Sequence, residues 1–341
     1  MSIADYHASA VDWRTQLKIN ERKTRKVIAL FFLIYIIVGL IADTLAAQSM
    51  YPHVASEKIF MALITFKLIP YLTFLMIVIG LVSLWVTYAF YDRIMLLGTD
   101  YHEITPQSAK TIAETQLYNV VEEMKIASGL HYMPKVFIIE ANYMNAFASG
   151  YSEQSAMVAI TRGLIEKLDR AELQAVMAHE LSHVKHHDIK LTLMVAVLSN
   201  IILMVIDMLF YSVLYKRDDR EDNKFLIIII ILRYTLPVVT ILLALFLSRT
   251  REFMADAGCV ELMRDNEPLA RALIKINFDH QEHADEYTKE YGATPHEQVR
   301  HTSYLFDPSD IDPVKSMSNA FATHPSVQQR LIALGFKQAN K

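Results

Sequence analysis

Four stretches of this chain hold almost nothing that water would solvate. Residues 68–91 carry no charge and, at 1.5 Å per helical residue, are long enough to cross about 30 Å of hydrocarbon. Residues 27–42 are also uncharged and resume as 44–47 beyond Asp43, which spans if the ends are stretched or flanking side chains reach the interface. Residues 191–215 and 225–247 form a second pair, joined by the highly charged connection 216–224. The pattern therefore predicts about four transmembrane helices, the last two as a hairpin. Each hairpin arm contains one charge, Asp207 or Arg233, nine residues from the basic end of the connection, Lys216 or Lys224. In an antiparallel pair they reach the same depth, and because an unpaired charge in lipid is expensive we expect a buried structural membrane pair, Asp207 with Arg233.

Between and after these stretches the periodicity changes. Residues 107–128 place Ile112, Leu117, Val120, Val121 and Met124 at helical spacing and stop at Gly129. Short β-rich runs follow at 135–140 and 156–161, with 142–150 between them as an edge strand or an ordinary turn. Asp169 and Glu172 read as the N-cap and capping-box acid of a helix carrying Leu173, Val176, Met177 and Leu181. A further helix is expected over 268–278, a long polar mobile loop over 283–315 that reads as a disordered linker rather than a lid, and a last helix opening at Pro325. The fold class is α+β, mainly helical. Its parts are a leader (1–26), a transmembrane pair (27–91), a first polar domain segment (92–190), the transmembrane hairpin (191–247) and a second polar domain segment (248–341).

Composition agrees with a membrane chain: 53% of the 341 residues are hydrophobic, and the mean hydropathy is +0.23. Arg14, Lys18, Arg22, Lys23, Arg25 and Lys26 precede the first apolar stretch, whereas only Lys58 and Lys67 lie between the first two. By the positive-inside rule the amino terminus is cytoplasmic, and two crossings return the chain to that side. The leader is longer than a signal-peptide n-region, so the first stretch reads as an uncleaved anchor. The four basic residues of the 216–224 connection oppose this orientation, although four acids neutralise them. Cys259, the single cysteine, excludes an internal disulfide. With a net charge of −4 and no basic patch, nucleic acid is not expected as a partner.

The candidate chemistry is concentrated on the capped helix. His179 and His183 are four apart, so both imidazoles occupy one face, about 6 Å apart along the axis. Glu180 lies beside them, placed to take a proton from a metal-bound water rather than to coordinate. A histidine pair on a helix is commonly only a surface or core feature, and His186 and His187 read as a polar helix end; the full pattern gives the first pair its weight. A catalytic Zn2+, one per chain, wants a third protein ligand and an open position. Glu252 is the candidate, with Asp256 four residues on to hold a ligand imidazole by its far nitrogen; the alternative is a solvated acidic pair beside Arg249 and Arg251. Asn145, Ala146 and Phe147 are candidate substrate contacts through strand addition. His324 is placed to stabilise an oxyanion, and Arg330 to orient either His324 or Asp256. Helical rise puts such a site about 7 to 12 Å from the hydrocarbon edge, which favours membrane-embedded substrates.

The set His179-Glu180-Leu181-Ser182-His183, Glu252 with Asp256, Asn145-Ala146-Phe147-Ala148, and His324-Pro325 with Arg330 resembles the HtpX-type membrane zinc metallopeptidases, relatives of the eukaryotic CAAX prenyl endopeptidases. The resemblance extends over nearly the whole chain. It implies His179, His183 and Glu252 as zinc ligands, Glu180 as base, and His324 near the reacting carbonyl. It also implies endoproteolysis of misfolded membrane proteins in quality control at a bacterial inner membrane, with the active site cytoplasmic. Four apolar stretches rather than seven favour the bacterial branch, while Lys185-His186-His187, the leader and the late loop depart from the pattern. Expected partners are polypeptide substrates and the lipid bilayer; the oligomeric state stays open. The alternatives are a narrow CAAX-type processing protease and a non-catalytic zinc-binding scaffold.

Overall fold

The computed structural model describes residues 3, 6–8, 12–95, 100–150, 152–215, 223–293, 304–306 and 324–338. The chain folds into two compact units: Arg25–Ala89 with Thr192–Ala244, and Met1–Thr24 with Phe90–Leu191 and Leu245–Lys341. A strand β1 (Tyr6–Ala8) precedes the helices α1 (Trp13–Met50), α2 (Ser56–Ile64) and α3 (Tyr71–Met95). Next come β2 (Tyr101–Ile104), α4 (Ile112–Ser128), β3 (Lys135–Ile139), β4 (Ala146–Ser149) and β5 (Met157–Thr161). The helices α5 (Arg162–Lys167), α6 (Arg170–Lys185), α7 (Asp188–Tyr215), α8 (Asn223–Met263), α9 (Glu267–Glu282), α10 (Ala284–Ala293) and α11 (Val327–Ala333) follow, and β6 (Phe336–Gln338) closes the described chain.

The first unit is apolar and helical. Among the described residues three helical stretches, Trp13–Met50, Lys190–Leu214 and Leu226–Met263, are long and apolar enough to cross a membrane, and α3 is apolar over the shorter Tyr71–Thr87. Its core joins Tyr35, Val38 and Ala42 of α1 to Met76 of α3, Leu198 and Ile202 of α7, and Ile229 and Leu236 of α8. Asp43, the charge interrupting the first apolar stretch, has a local purpose. Its carboxylate accepts the backbone amides of Leu72 and Thr73 at 2.8 and 2.9 Å and the Thr73 hydroxyl at 2.7 Å, satisfying the otherwise orphaned start of α3.

Asp207 and Arg233 meet, with Arg233 Nε 2.9 Å from Asp207 Oδ1, but the expectation of a buried pair is corrected. Asp207 is 53% and Arg233 26% exposed on the surface of the unit. The guanidinium lies 4.1 Å from the Phe210 ring centroid and 5.3 Å from that of Tyr211, so aromatic faces on the neighbouring turn shelter it in place of a closed core. Residues 216–222, most of the charged connection, lie outside the described residues.

The second unit is built on a four-stranded sheet of order β2-β3-β5-β4, in which β3 and β5 are parallel and both outer pairs antiparallel. This leaves β4 at one edge. Thr111 with Glu114 and Asp169 with Glu172 form capping boxes that start α4 and α6, and Gly129 ends α4 in the left-handed conformation at φ 76°. Helix α6 packs against α4, α9 and β4, so it is buried on nearly every side. The short strands β1, β2 and β6 carry no period-2 signal of their own; among the described residues β1 and β6 pair with each other in a separate two-stranded sheet. The expectation of a loop over 283–315 is corrected where the structure describes it: α10 is helical, and Tyr304, Leu305 and Phe306 are buried. Aromatic packing drives this order, because Tyr287 and Tyr291 of α10 gather with Tyr143, Phe147 and Tyr304 in one cluster. Residues 294–303 and 307–315 lie outside the described residues.

Candidate metal centre

Two helices bring the candidate ligands together because one glycine lets them touch. A Cβ added at Gly258 of α8 would stand 2.0 Å from Ser182 Oγ of α6, so only glycine permits this approach. The following residue, Cys259, is buried and donates its thiol hydrogen to the Ala175 carbonyl at 3.2 Å, seating the same helix turn. Glu252 and Asp256 then face the α6 histidines.

His179 Nε2 and His183 Nε2 are 3.2 Å apart. Glu252 completes the group, with Oε2 3.7 Å from His179 Nε2 and Oε1 3.6 Å from His183 Nε2. One donor atom from each residue lies within 4.8 Å of the others, a set able to hold a metal ion. Two imidazole nitrogens and a carboxylate converging on one point, with both rings able to carry their proton on the far nitrogen, form a donor set that fits a cation. The electrostatics agree. Burial and the nearby Arg330 oppose a charge on His179, yet hydrogen bonds to Asp256 and Glu252 push its imidazole up to about 9. Burial likewise raises the Glu252 carboxyl, but the surrounding His324, His179 and His183 outweigh it and hold the group well below the usual carboxylate range.

Beside this set, Glu180 is 1% exposed, and neither carboxylate oxygen makes a hydrogen bond. The Ala148 amide of β4 lies near it without reaching hydrogen-bond geometry, and burial pushes its carboxyl up. A buried carboxylate with no hydrogen bond is costly to keep charged. The structure also places Asp256 against His179, Oδ1 to Nδ1 at 3.1 Å. Arg330 grips both Asp256 oxygens, at 3.1 Å through Nε and 2.6 Å through Nη2, and donates Nη1 to the Leu305 carbonyl at 2.8 Å. Of the two orientations expected for Arg330, it therefore takes the one toward Asp256, and its catalytic assignment is corrected to a positioning one. His324 Nδ1 lies 3.4 Å from Glu252 Oε2, and neither ring nitrogen is hydrogen-bonded.

Asn145 is a second correction. It is fully buried, its side-chain amide donating to Tyr291 Oη and the Phe306 carbonyl at 3.0 Å each while its oxygen accepts the Phe306 and Ala146 amides. No atom is left for a substrate. Leu305 N–H donates to the Ala146 carbonyl at 2.8 Å, so this chain's own 304–306 segment already pairs with the start of the β4 edge. Phe147 is fully buried, packed on Tyr304 with centroids 5.7 Å apart. His186 and His187 stay outside the metal set, and His186 is the C-cap residue of α6, its Nδ1 2.8 Å from the Ser182 carbonyl. The sequence reading missed Asp188, whose Oδ2 is 2.7 Å from His183 Nδ1; the available signal was an acid just beyond a helix-ending His-His.

The family model of peptidase family M48 matches residues 111–336. The chain belongs to this family. It is 37% identical over 315 residues to a "Protease HtpX homolog" of Helicobacter pylori (strain Shi470), which covers 92% of this chain and 95% of that relative. A protein of the same name from Dictyoglomus thermophilum is 36% identical over 219 residues, 63% of this chain and 67% of that one. Among solved structures, Ste24p of S. mikatae covers 94% of this chain and 67% of its own at 19% identity and a TM-score of 0.48, too weak a likeness to argue from. The M48 chain is a metallopeptidase with polypeptide substrates, and its apolar helices associate it with a membrane. A purely scaffolding role is thereby set aside.

Proposed function

We propose that this M48 chain is a zinc-dependent endopeptidase that cleaves membrane or membrane-associated polypeptides, misfolded ones included, by general-base catalysis from Glu180. The observation that carries the reading is the meeting of a His179-His183-Glu252 donor set with a buried, unpartnered Glu180. Zinc suits the donors: the 3.2 Å spacing of the imidazole nitrogens is close to what a tetrahedral ion with bonds of about 2.0–2.1 Å spans. When bound, zinc would polarise the scissile carbonyl and acidify water at its open position. Glu180 takes the proton of the attacking water and hands it to the departing amine, a shuttle helped by burial that raises its proton affinity. His324, buried, with Nδ1 3.4 Å from Glu252 Oε2 and no hydrogen bond on Nε2, supplies a donor to the oxyanion. Substrate backbone lies along β4 past Ala146, beside Ala148 and Glu180. The basic residues before the first apolar stretch support a cytoplasmic amino terminus and active site at a bacterial inner membrane, the setting of membrane-protein quality control.

The test is Glu180→Gln in full-length protein. It is expected to keep stoichiometric zinc by metal analysis while cleavage of an unfolded polypeptide such as casein falls at least ~1000-fold, whereas His179→Ala, His183→Ala or Glu252→Ala loses metal. Full cleavage by Glu180→Gln would falsify the base assignment, and cleavage confined to a prenylated carboxyl-terminal peptide would favour CAAX-type processing.

A further inference from the structure

We propose that Asp188 is a positioning residue that fixes the His183 imidazole for the metal, and that the left-handed turn at His187 exists to deliver it. The inference rests on the metal site proposed above. Helix α6 ends at Lys185, and α7 begins at Asp188. Between them His187 adopts φ 55°, a left-handed conformation uncommon for any residue but glycine, and one that histidine, like asparagine and aspartate, enters more readily than most. The reversal brings the carboxylate of Asp188 back along the preceding turn, where Oδ2 meets His183 Nδ1 at 2.7 Å. That bond puts the proton on Nδ1 and leaves Nε2, the nitrogen facing Glu252 and His179, as the lone-pair donor.

Asp188 is 1% exposed, so the bond is made out of water. Its backbone carbonyl accepts Arg251 Nη1 at 2.8 Å, and Arg251, itself buried, immediately precedes Glu252. The residue behind one ligand is thus tied to the residue before another. Each imidazole has its own carboxylate, Asp256 for His179 and Asp188 for His183, and the two come from different segments of the chain. An acid in the first turn of a helix also favours the helix dipole, and that role alone would account for the position of Asp188 but not for its bond to His183.

The two roles separate on metal affinity. Full-length protein in detergent is stripped with chelator and titrated with Zn2+ against a competing indicator, with Co2+ absorption as a second readout of ligand geometry. Asp188→Ala is expected to weaken Zn2+ binding by ~10- to 100-fold and alter the Co2+ spectrum; Asp188→Asn, whose amide oxygen still accepts the Nδ1 proton, falls between it and the parent. His187→Gly keeps parental affinity, because glycine adopts the same φ freely, whereas His187→Val weakens binding as Asp188→Ala does. A merely helix-capping Asp188 would lower the thermal midpoint of apo Asp188→Ala but leave affinity and spectrum unchanged, and that result overturns the proposal. Should Asp188→Ala not fold, parental affinity in both Asp188→Asn and His187→Val overturns it equally. Undiminished binding by His183→Ala would instead show that the metal site itself is misread.

Discussion

The chain uses an aspartate–arginine pair in each of its two units, and the pairs differ in almost everything except distance. Asp256 and Arg330 approach to 2.6 Å with both side chains 2% exposed; Asp207 and Arg233 approach to 2.9 Å with 53% and 26% exposed. In the peptidase unit the pair has no spare valence: Arg330 also holds the Leu305 carbonyl, and Asp256 also holds His179. In the apolar unit the pair closes on itself and on two aromatic rings. A buried ion pair stabilises little by its Coulomb energy, since desolvation consumes most of it, but losing one partner strands a charge. What distinguishes the pairs is therefore how many other groups depend on them.

The largest effect is expected where that dependence is greatest. Asp256→Ala takes from a buried guanidinium the carboxylate it grips through two nitrogens, leaving only Glu252 at 3.7 Å, and should cost about 3–5 kcal/mol of stability, measured by denaturant unfolding of the apo protein. Arg330→Met should do less damage combined with Asp256→Leu than alone, and equal losses in single and double variants would mean the pair is not energetically coupled.

His280 sharpens the comparison, since it is buried as a neutral group where the pairs are charged. Its Nδ1 donates to the Ile276 carbonyl at 2.9 Å and its Nε2 faces Tyr291 Oη at 3.2 Å, the same hydroxyl that Asn145 reaches. Burial lowers its imidazole to about 4. The unfolded chain, near 6.5, then binds a proton that the folded chain refuses, so this contribution is intact above about pH 6.5 and is lost as pH falls toward 4. The loss amounts to about 3 kcal/mol at the acid end. A His280→Gln variant whose stability between pH 7 and 4 falls as steeply as the parent's would remove His280 as the cause.

A smaller change is expected in the apolar unit. Thermal midpoints in detergent should drop for Asp207→Ala and for Arg233→Ala, and partly recover in the double variant; strictly additive drops would refute the contact. Least of all should follow from breaking Arg170–Glu123, whose side chains are 54% and 42% exposed despite a 2.6 Å contact. Here the expectation is about 0.2–1 kcal/mol, vanishing at 1 M salt, and a larger or salt-independent loss would overturn the ranking by burial.

The sequence by itself determined whatever depends on neighbours along one helix or strand. His179 and His183 share a face, with Glu180 to one side, because 3.6 residues make a turn; Glu252 and Asp256 share one for the same reason, and Asp169 with Glu172 starts the helix by local hydrogen bonds. Apolar length announced the membrane helices, and equal spacing from one connection announced that Asp207 and Arg233 would meet. Tertiary structure alone decided which surface each element would find. Nothing in a local pattern says that Asn145 would spend every side-chain polar atom on Tyr291, Phe306 and its own neighbour, that Tyr304–Phe306 would leave a polar stretch to pair with the start of the β4 edge, or that the Asp207 pair would lie at a surface. Asp188 escaped because its role depends on a positive φ at His187, and a histidine does not advertise that conformation as a glycine would. Periodicity fixes a side chain's direction from its own axis, but partners tens of residues away are chosen by packing.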